Sequence, residues 1–465
     1  MKIAFHGAAR TVTGSKHLIT IGEKKILLDC GMFQGMGKET PELNKQFGFD
    51  PAEVDYVFLS HAHIDHSGLL PRLVKDGFRG KIYATPATID VADVLLRDSA
   101  HIQLQDITYM NKQRAKDGRP LLEPIYTLED VEKTLEKFVP IHYHQAIQVD
   151  EDIQVEYFDV GHIIGSATIY LTLTERGKRS TVVFSGDVGR YGDPILHSPE
   201  SFPQADYVII ESTYGNKLHD PIETYTEDLY KNIIETCINK RGKLIIPAFS
   251  VGRTQELLYA LNDLELEGRL PQVEYYVDSP MSTKVTEIVK EHPECFNRSL
   301  QKLLKRDVDP FMFRGLKYIT DKRDSQALNV NHNPMVIISA SGMAEAGRVK
   351  HHIANSIENW RNTIMMIGYC EPESLGARLK YHPETIKIFG IEHPVKANIV
   401  SLNSMSAHAD YNDLSQYLAC QDPGEVKRVF LVHGEYEVQQ EFKRRLLKKG
   451  FLDIEIPEPH QEFGL

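Results

Sequence analysis

Cysteine is scarce in this chain: there are five in 465 residues, at positions 30, 237, 295, 370 and 420, and no two form a CxxC pair. A set so sparse and odd in number excludes a disulfide framework and suits a reducing cytosol. Long apolar runs are absent too, none approaching the roughly 18 residues that a membrane helix needs. The opening Met1-Lys2-Ile3-Ala4-Phe5-His6 runs straight into strand-like sequence, without the apolar core of a signal peptide. A cytoplasmic protein without membrane contact is expected. Positive charge is in deficit, with 53 Lys and Arg against 65 Asp and Glu and a formal net charge of −12. That balance excludes a protein that coats nucleic acid nonspecifically. It does not exclude a local nucleic-acid site, where metal ions and a few arginines set the field. The 42% of apolar residues can build two or three domains.

Many short strands with fewer helices fill the first part of the chain, to about residue 210. Strands are expected at Lys25–Asp29, Val54–Ser60, Lys81–Ala84, Ile153–Val160, Ala167–Leu173, Thr181–Ser185 and Tyr207–Ile210, with a helix over Ala87–Lys116. Several of these strands end in or next to a polar residue of catalytic type: Asp29, His61, His162, Asp187 and Glu211. Rigid scaffolds commonly present functional side chains at such strand ends. From about Asn216 helix and strand alternate. Helices are expected at Ile222–Lys240, Arg253–Leu264 and Arg348–Glu358, and strands at Leu244–Ala248, Val273–Val277, Met335–Ser339 and Thr363–Ile367. This is the pattern of a parallel sheet with helices on its faces. A strand-rich texture returns near Thr385, and the polar tail Pro457–Leu465 reads as frayed. One domain split by an inserted second one is the simplest account.

Residues 61–66 read His61-Ala62-His63-Ile64-Asp65-His66. His61 and His63 lie at i and i+2 after an apolar strand, so extended backbone points both rings to one side. Asp65 and His66 fall where a helix opens, and that turn can carry them to a neighbouring point. Two adjacent metal sites follow from six residues. Imidazole with carboxylate suits Zn²⁺, ahead of Mn²⁺ or Fe. His162 in Gly161-His162-Ile163 and Asp187 in Ser185-Gly186-Asp187 extend the count of available ligands.

In this order and spacing, Asp29, His61, His63, Asp65, His66, His162 and Asp187 resemble the motifs of the metallo-β-lactamase superfamily. The later segments Ile210-Glu211-Ser212-Thr213, Pro247-Ala248-Phe249-Ser250-Val251-Gly252-Arg253-Thr254-Gln255-Glu256, Asp278-Ser279-Pro280-Met281, Ser406-Ala407-His408-Ala409-Asp410 and Val432-His433-Gly434 resemble its β-CASP nucleases. The resemblance implies an α/β protein: a metallo-β-lactamase αββα sandwich over 1–212 and 389–465, split by an inserted Rossmann-like β-CASP domain over 213–388. It further implies two Zn²⁺ per chain, with Mn²⁺ as an alternative. His61, His63 and His162 would hold one ion and Asp65, His66 and His433 the other. Asp187 would bridge them, and Asp29 would orient ligands rather than bind. The implied catalytic set is Asp65, Asp187, Glu211 and His408, with Glu211 keeping His408 protonated over the scissile phosphate. Histidine at position 433 resembles the RNA-processing branch, which makes single-stranded RNA the expected partner and a 5′-phosphate and a 3′-hydroxyl the expected product ends.

Phosphate contacts are expected from the small-residue loop Ser339–Arg348, through Ser341, Gly342 and a forked contact from Arg348, and from Arg378 in a second loop. Endonucleolytic and 5′-exonucleolytic cleavage both stay open, as does the oligomeric state, a homodimer included. A hydrolase of small esters, thioesters or lactones is the alternative reading. A non-catalytic scaffold is the third, disfavoured because no candidate ligand is missing.

Overall fold

The computed structural model describes residues 1–220, 225–306, 309–368, 370, 374–402 and 405–465. They form two compact units. One comprises Met1–Tyr191, His197–Leu218 and His408–Leu465; the other comprises Gly192–Leu196 and His219–Ala407.

Alternation along the strands decides the layers of the first unit. In Lys24–Leu28, Ile26 and Leu28 enter one core while Leu27 enters another. In Lys178–Phe184, Val182 and Phe184 face the same inner core and Val183 the opposite side. Strands apolar on both faces must be covered on both faces. Two seven-stranded sheets therefore share the inner core that holds Ile3, Phe58, Tyr157, Ile169, Ile209 and Phe430. The helix Leu70–Lys75 covers the outer face of one sheet, and Tyr411–Tyr417 with Tyr436–Lys448 covers the other. This is the αββα sandwich the resemblance implies.

Lys24–Leu28, Tyr56–Phe58 and Lys81–Ala84 run parallel, as do Lys178–Phe184, Tyr207–Glu211 and Arg428–Val432. Their C-terminal ends are followed by Asp29, by Ser60 and His61, by Asp187 and by His433, while Glu211 closes its own strand. Ile153–Asp159 points the same way as Lys178–Phe184, since each is antiparallel to Ala167–Glu175 between them, and it leads to His162. The helix Pro86–Lys116 braces that loop: Thr85 and Thr88 hydroxyls donate to the Gly165 carbonyl at 2.6 and 2.8 Å.

Among the described residues the second unit is built on a six-stranded parallel sheet, with a two-stranded antiparallel ribbon of Thr385–Ile388 and Ile391–Pro394 beside it in the chain. The order of the parallel sheet is Leu316–Tyr318, Glu274–Val277, Met335–Ser339, Lys243–Pro247, Thr363–Ile367, Asn398–Leu402. Helices such as Arg253–Leu266 and Arg348–Ser356 pack on it. The helix expected from Ile222 is described from Tyr225 to Ile233 and passes into a π-helix over Ile234–Asn239; Ile222 itself lies outside the described residues.

Two expectations are corrected. The boundary at 388/389 falls inside the second unit, because Asn398–Leu402 hydrogen-bonds in register to Thr363–Ile367 and completes that sheet. The tail is not frayed: Gln461–Gly464 pairs antiparallel with Lys2–Phe5 as an edge strand, with Phe463 packed on Phe5 and Phe430. Among the described residues no helix is long and apolar enough to cross a membrane.

Candidate metal centre

Asp29 is fully buried and accepts from the Ser60 N–H at 2.8 Å and from the Ser60 and Ser15 hydroxyls at 3.0 and 3.2 Å. The same carboxylate lies 2.6 Å from His66 Nδ1. Nδ1 is thereby engaged and Nε2 faces the centre. Thr213 Oγ1 does the same for His433, 3.0 Å from its Nδ1, and Ser60 Oγ for His61, 3.0 Å from its Nδ1. Asp29 touches His66 at Nδ1 and not at the convergent donor atom.

Those donor atoms form two groups. His63 Nδ1 is 3.2 Å from both His61 Nε2 and His162 Nε2, and Asp187 Oδ2 is 3.5 Å from each of the latter two nitrogens. In the second group, His433 Nε2 is 3.3 Å from both His66 Nε2 and Asp65 Oδ2. Asp187 Oδ2 stands 3.3 Å from His66 Nε2 as well, so one carboxylate oxygen touches both groups.

These residues fit a pair of metal ions on three counts. His63 Nδ1 offers one proton or one lone pair, so it can satisfy only one of His61 Nε2 and His162 Nε2, and the other contact is repulsive unless a cation stands among them. A tetrahedral zinc site with Zn–N of about 2.0–2.1 Å has ligand-to-ligand edges of about 3.3 Å, the spacing found here. Among the described residues the buried Asp187 Oδ1 has no hydrogen-bond partner, which a native protein seldom tolerates. The electrostatics agree. Burial holds His61 and His162 well below the usual histidine range and His63 down to about 4, so all three are neutral ligands. Burial would lower His66 also, but Asp187, Asp65 and Asp29 around it raise it well above that range, marking a place where positive charge is favoured.

Beside this cluster His408 Nδ1 lies 3.2 Å from Glu211 Oε1 and 3.9 Å from Asp187 Oδ2. Burial would lower the ring's pKa, yet the Glu211 and Asp187 carboxylates push it up to about 9. Glu211 is fully buried and pinned by the Val188 N–H at 2.6 Å and the Thr213 N–H at 3.3 Å.

Models of three families match successive stretches of the chain: the metallo-beta-lactamase superfamily over residues 14–248, the Beta-Casp domain over 254–379, and the Zn-dependent metallo-hydrolase RNA specificity domain over 392–457. The chain is 37% identical over 438 residues to Ribonuclease TTHA0252 of Thermus thermophilus, covering 94% of each. The chain belongs to the β-CASP family of metallo-β-lactamase-fold nucleases. Another β-CASP relative is Transcription termination factor FttA of Methanosarcina mazei, at 30% identity over 97% of this chain and 69% of that protein. A third is an RNase J-like protein of Methanocaldococcus jannaschii, at 29% identity over 93% and 92%. A crystal structure of a protein of unknown function from Enterococcus faecalis has the same fold, with a TM-score of 0.54 and 14% identity over 100% of this chain and 99% of that one.

In the β-CASP unit the four expected phosphate contacts divide. Ser341 and Gly342 share one loop, and Gly342 is needed there because a Cβ would meet the Phe249 ring at 2.6 Å. Arg378 lies 3.7 Å from Glu345, whose carboxylate also accepts from the Leu375 N–H. A protein carboxylate thus occupies the start of the helix Leu375–Lys380. Arg348 is a correction. Its guanidinium donates to Asp278 at 2.6 Å and to the Ile319 and Thr320 carbonyls at 3.1 and 2.6 Å. Asp278 is fully buried and needs that compensation, so the fork expected to grip phosphate is spent on a structural ion pair. Sequence reasoning also missed Thr213, Ser60 and Ser15; Ser60, next to His61, and Thr213, two residues after Glu211, carried a positional hint.

Proposed function

We propose that this β-CASP nuclease is a zinc-dependent ribonuclease that binds two Zn²⁺ per chain. His61, His63 and His162 would hold one ion, Asp65, His66 and His433 the other, and Asp187 both. The observation that carries the reading is the single oxygen Asp187 Oδ2, within 3.5 Å of His61, His162 and His66 and so shared by both donor groups. Two bound zincs would neutralise phosphate oxygens and lower the pKa of a water molecule to near neutrality.

The chain's own residues do the rest. Asp29, Thr213 and Ser60 hold the rings of His66, His433 and His61 in the orientation that aims their donor atoms at the centre. Glu211 keeps His408 protonated through Nδ1, so Nε2 is the nitrogen that hands a proton to the departing O3′ of the cleaved bond. The products are a 5′-phosphate and a 3′-hydroxyl. Ser341 and Gly342 offer a narrow loop, and Arg378 an exposed cation, for the RNA backbone. The names of the curated relatives and the matched RNA specificity domain support RNA over a small ester, thioester or lactone.

Digestion of 5′- and internally labelled single-stranded RNA by zinc-loaded protein, with product ends mapped, tests the reading. Cleavage that leaves 5′-phosphates and falls by about 10²- to 10⁴-fold in His408→Ala with zinc retained is expected. Turnover of thioesters with RNA left intact would transfer the assignment to the small-molecule hydrolases.

A further inference from the structure

A separate cavity of about 760 Å³ lies within the β-CASP unit, at the N-terminal edge of its parallel sheet. Val273, Gly315 and Pro334, each one residue before a strand, line it, as does Arg241 just before Lys243–Pro247. Ligands of parallel sheets usually sit at the opposite, C-terminal edge, so no sequence motif points here.

The charge of the lining is unusual. Arg241 and Arg314 both face the cavity, and among the described residues neither guanidinium has a hydrogen-bond or ion-pair partner. Glu274 is committed to Lys317 at 2.7 Å and to the Tyr276 hydroxyl at 2.8 Å, which leaves Glu265 as the carboxylate that faces the two arginines. The backbone that delivers Arg241 is irregular. The π-helix Ile234–Asn239 ends in a wide turn with Lys240 N–H donating to Glu235 O at 3.1 Å, and Arg241 follows in the left-handed region at φ 54°. Such turns are rare and recur at functional sites, and a left-handed arginine costs conformational energy that the fold sustains for some return. Pro271, Leu270 and Pro334 make an apolar wall, and burial pushes the Cys237 thiol in the floor up to about 12, so it acts as an inert apolar group.

Gly242, the residue after Arg241, packs on the backbone of Arg361, and before Arg361 in the chain comes Trp360, the single tryptophan and 60% exposed, with the Arg361 guanidinium 5.6 Å from its ring centroid. The two segments are in register at close range: a Cβ on Gly242 would lie 2.0 Å from Arg361 O, and the Lys243 N–H donates to Asn362 Oδ1 at 2.8 Å.

We propose that this cavity binds a nucleoside phosphate. The phosphate sits between Arg241 and Arg314, whose forked donors match its oxygens. The base lies against the proline wall, the ribose hydroxyls donate to Glu265, and Trp360 offers a stacking face to an adjoining base. The volume suits a ligand of nucleotide size. An inorganic anion would leave the apolar wall unused, and an apolar ligand would leave two arginines without a partner. The nucleotide can come from a free mononucleotide or from a stretch of the RNA substrate. The binding itself does not depend on the metal centre cleaving RNA.

The single tryptophan makes the test direct. Zinc-loaded full-length protein is titrated with 5′-AMP, with 5′-UMP, and with a phosphorothioate RNA of about ten nucleotides. Emission of Trp360 and equilibrium dialysis are both followed. A saturable emission change is expected. In R241Q/R314Q, and to a smaller degree in R314Q alone, the affinity falls by at least about tenfold while the melting temperature and zinc content stay at parental values. Saturation by mononucleotides assigns a free nucleotide; saturation by the oligonucleotide alone assigns the RNA. Absence of binding by both measurements, or an affinity in R241Q/R314Q within twofold of the parent, overturns the proposal. RNA cleavage by the same preparation is scored separately, so a failure of the nuclease reading stays distinguishable.

Discussion

Asp29 Oδ2 lies 2.6 Å from His66 Nδ1, and that contact decides which nitrogen His66 turns toward the other donors. Because Asp29 also holds the Ser60 N–H, it ties the strand end that carries His61 to the turn that carries His66. Asp29→Asn keeps the shape and removes the charge that makes His66 a strong donor. Zinc affinity, read by competition with a chelator, is expected to fall by about 10–100-fold, the usual cost of losing such a partner. Affinity within twofold of the parent would remove Asp29 from this role.

His408 and Glu211 give a pH prediction. A histidine raised by a neighbouring carboxylate is protonated below its pKa and loses the proton as pH rises through it, so a step that needs the acid fails on the alkaline side. His408 is pushed up to about 9 by Glu211 and Asp187, and metal ions on Asp187 would cancel part of that rise. The alkaline limb of kcat is therefore expected at or below pH 9, and in Glu211→Gln it moves to lower pH. The His408→Ala protein should lose about 10²- to 10⁴-fold in kcat with its zinc intact. An unmoved limb in Glu211→Gln would show that the limb belongs to another group.

Legibility followed distance along the chain. Residues 61–66 bring four chemically distinctive side chains together within one turn, and the strand-end positions of His162, Asp187 and Glu211 repeat a local pattern. Both were readable because each is local. Thr213 acts on His433 across 220 positions, and its identity is too common to signal anything alone. Arg348 was misread for the same reason: a loop rich in small residues shows its own composition, not the buried Asp278 placed 70 residues earlier. Asn398–Leu402 alternates like a half-exposed strand, and the pattern does not say which sheet accepts it.

The ion pair of Arg348 with Asp278 predicts a stability defect rather than a binding defect. The buried Asp278 carboxylate also accepts from the Ser325 hydroxyl at 2.5 Å and stands 2.6 Å from His352 Nε2. Burial would raise its pKa, but these partners hold it below the usual range. Removing one partner of a buried pair costs about 3–5 kcal/mol. Arg348→Ala should therefore lower the unfolding free energy of the protein by about that amount in denaturant titration. A variant as stable as the parent, with weakened RNA binding, would return Arg348 to the phosphate site.

The edge strand at the end of the chain makes the last prediction. Gln461–Gly464 is polar, yet it pairs through four positions with Lys2–Phe5 and places Phe463 with its ring centroid 6.0 Å from that of Phe5 and 5.2 Å from that of Phe430. Its stability comes from the far end of the sequence, which is why it reads as unstructured when taken by itself. Phe463 is only half-buried, so Phe463→Ala should cost about 1–2 kcal/mol, less than a full core truncation. Hydrogen exchange supplies the sharper measurement. Amides of Lys2–Gly7 should be protected in the parent and exchange faster in Phe463→Ala, while those of Lys178–Phe184 in the other sheet stay as they were. Unchanged exchange in Lys2–Gly7 would mean that the closing strand contributes nothing to the sheet it borders.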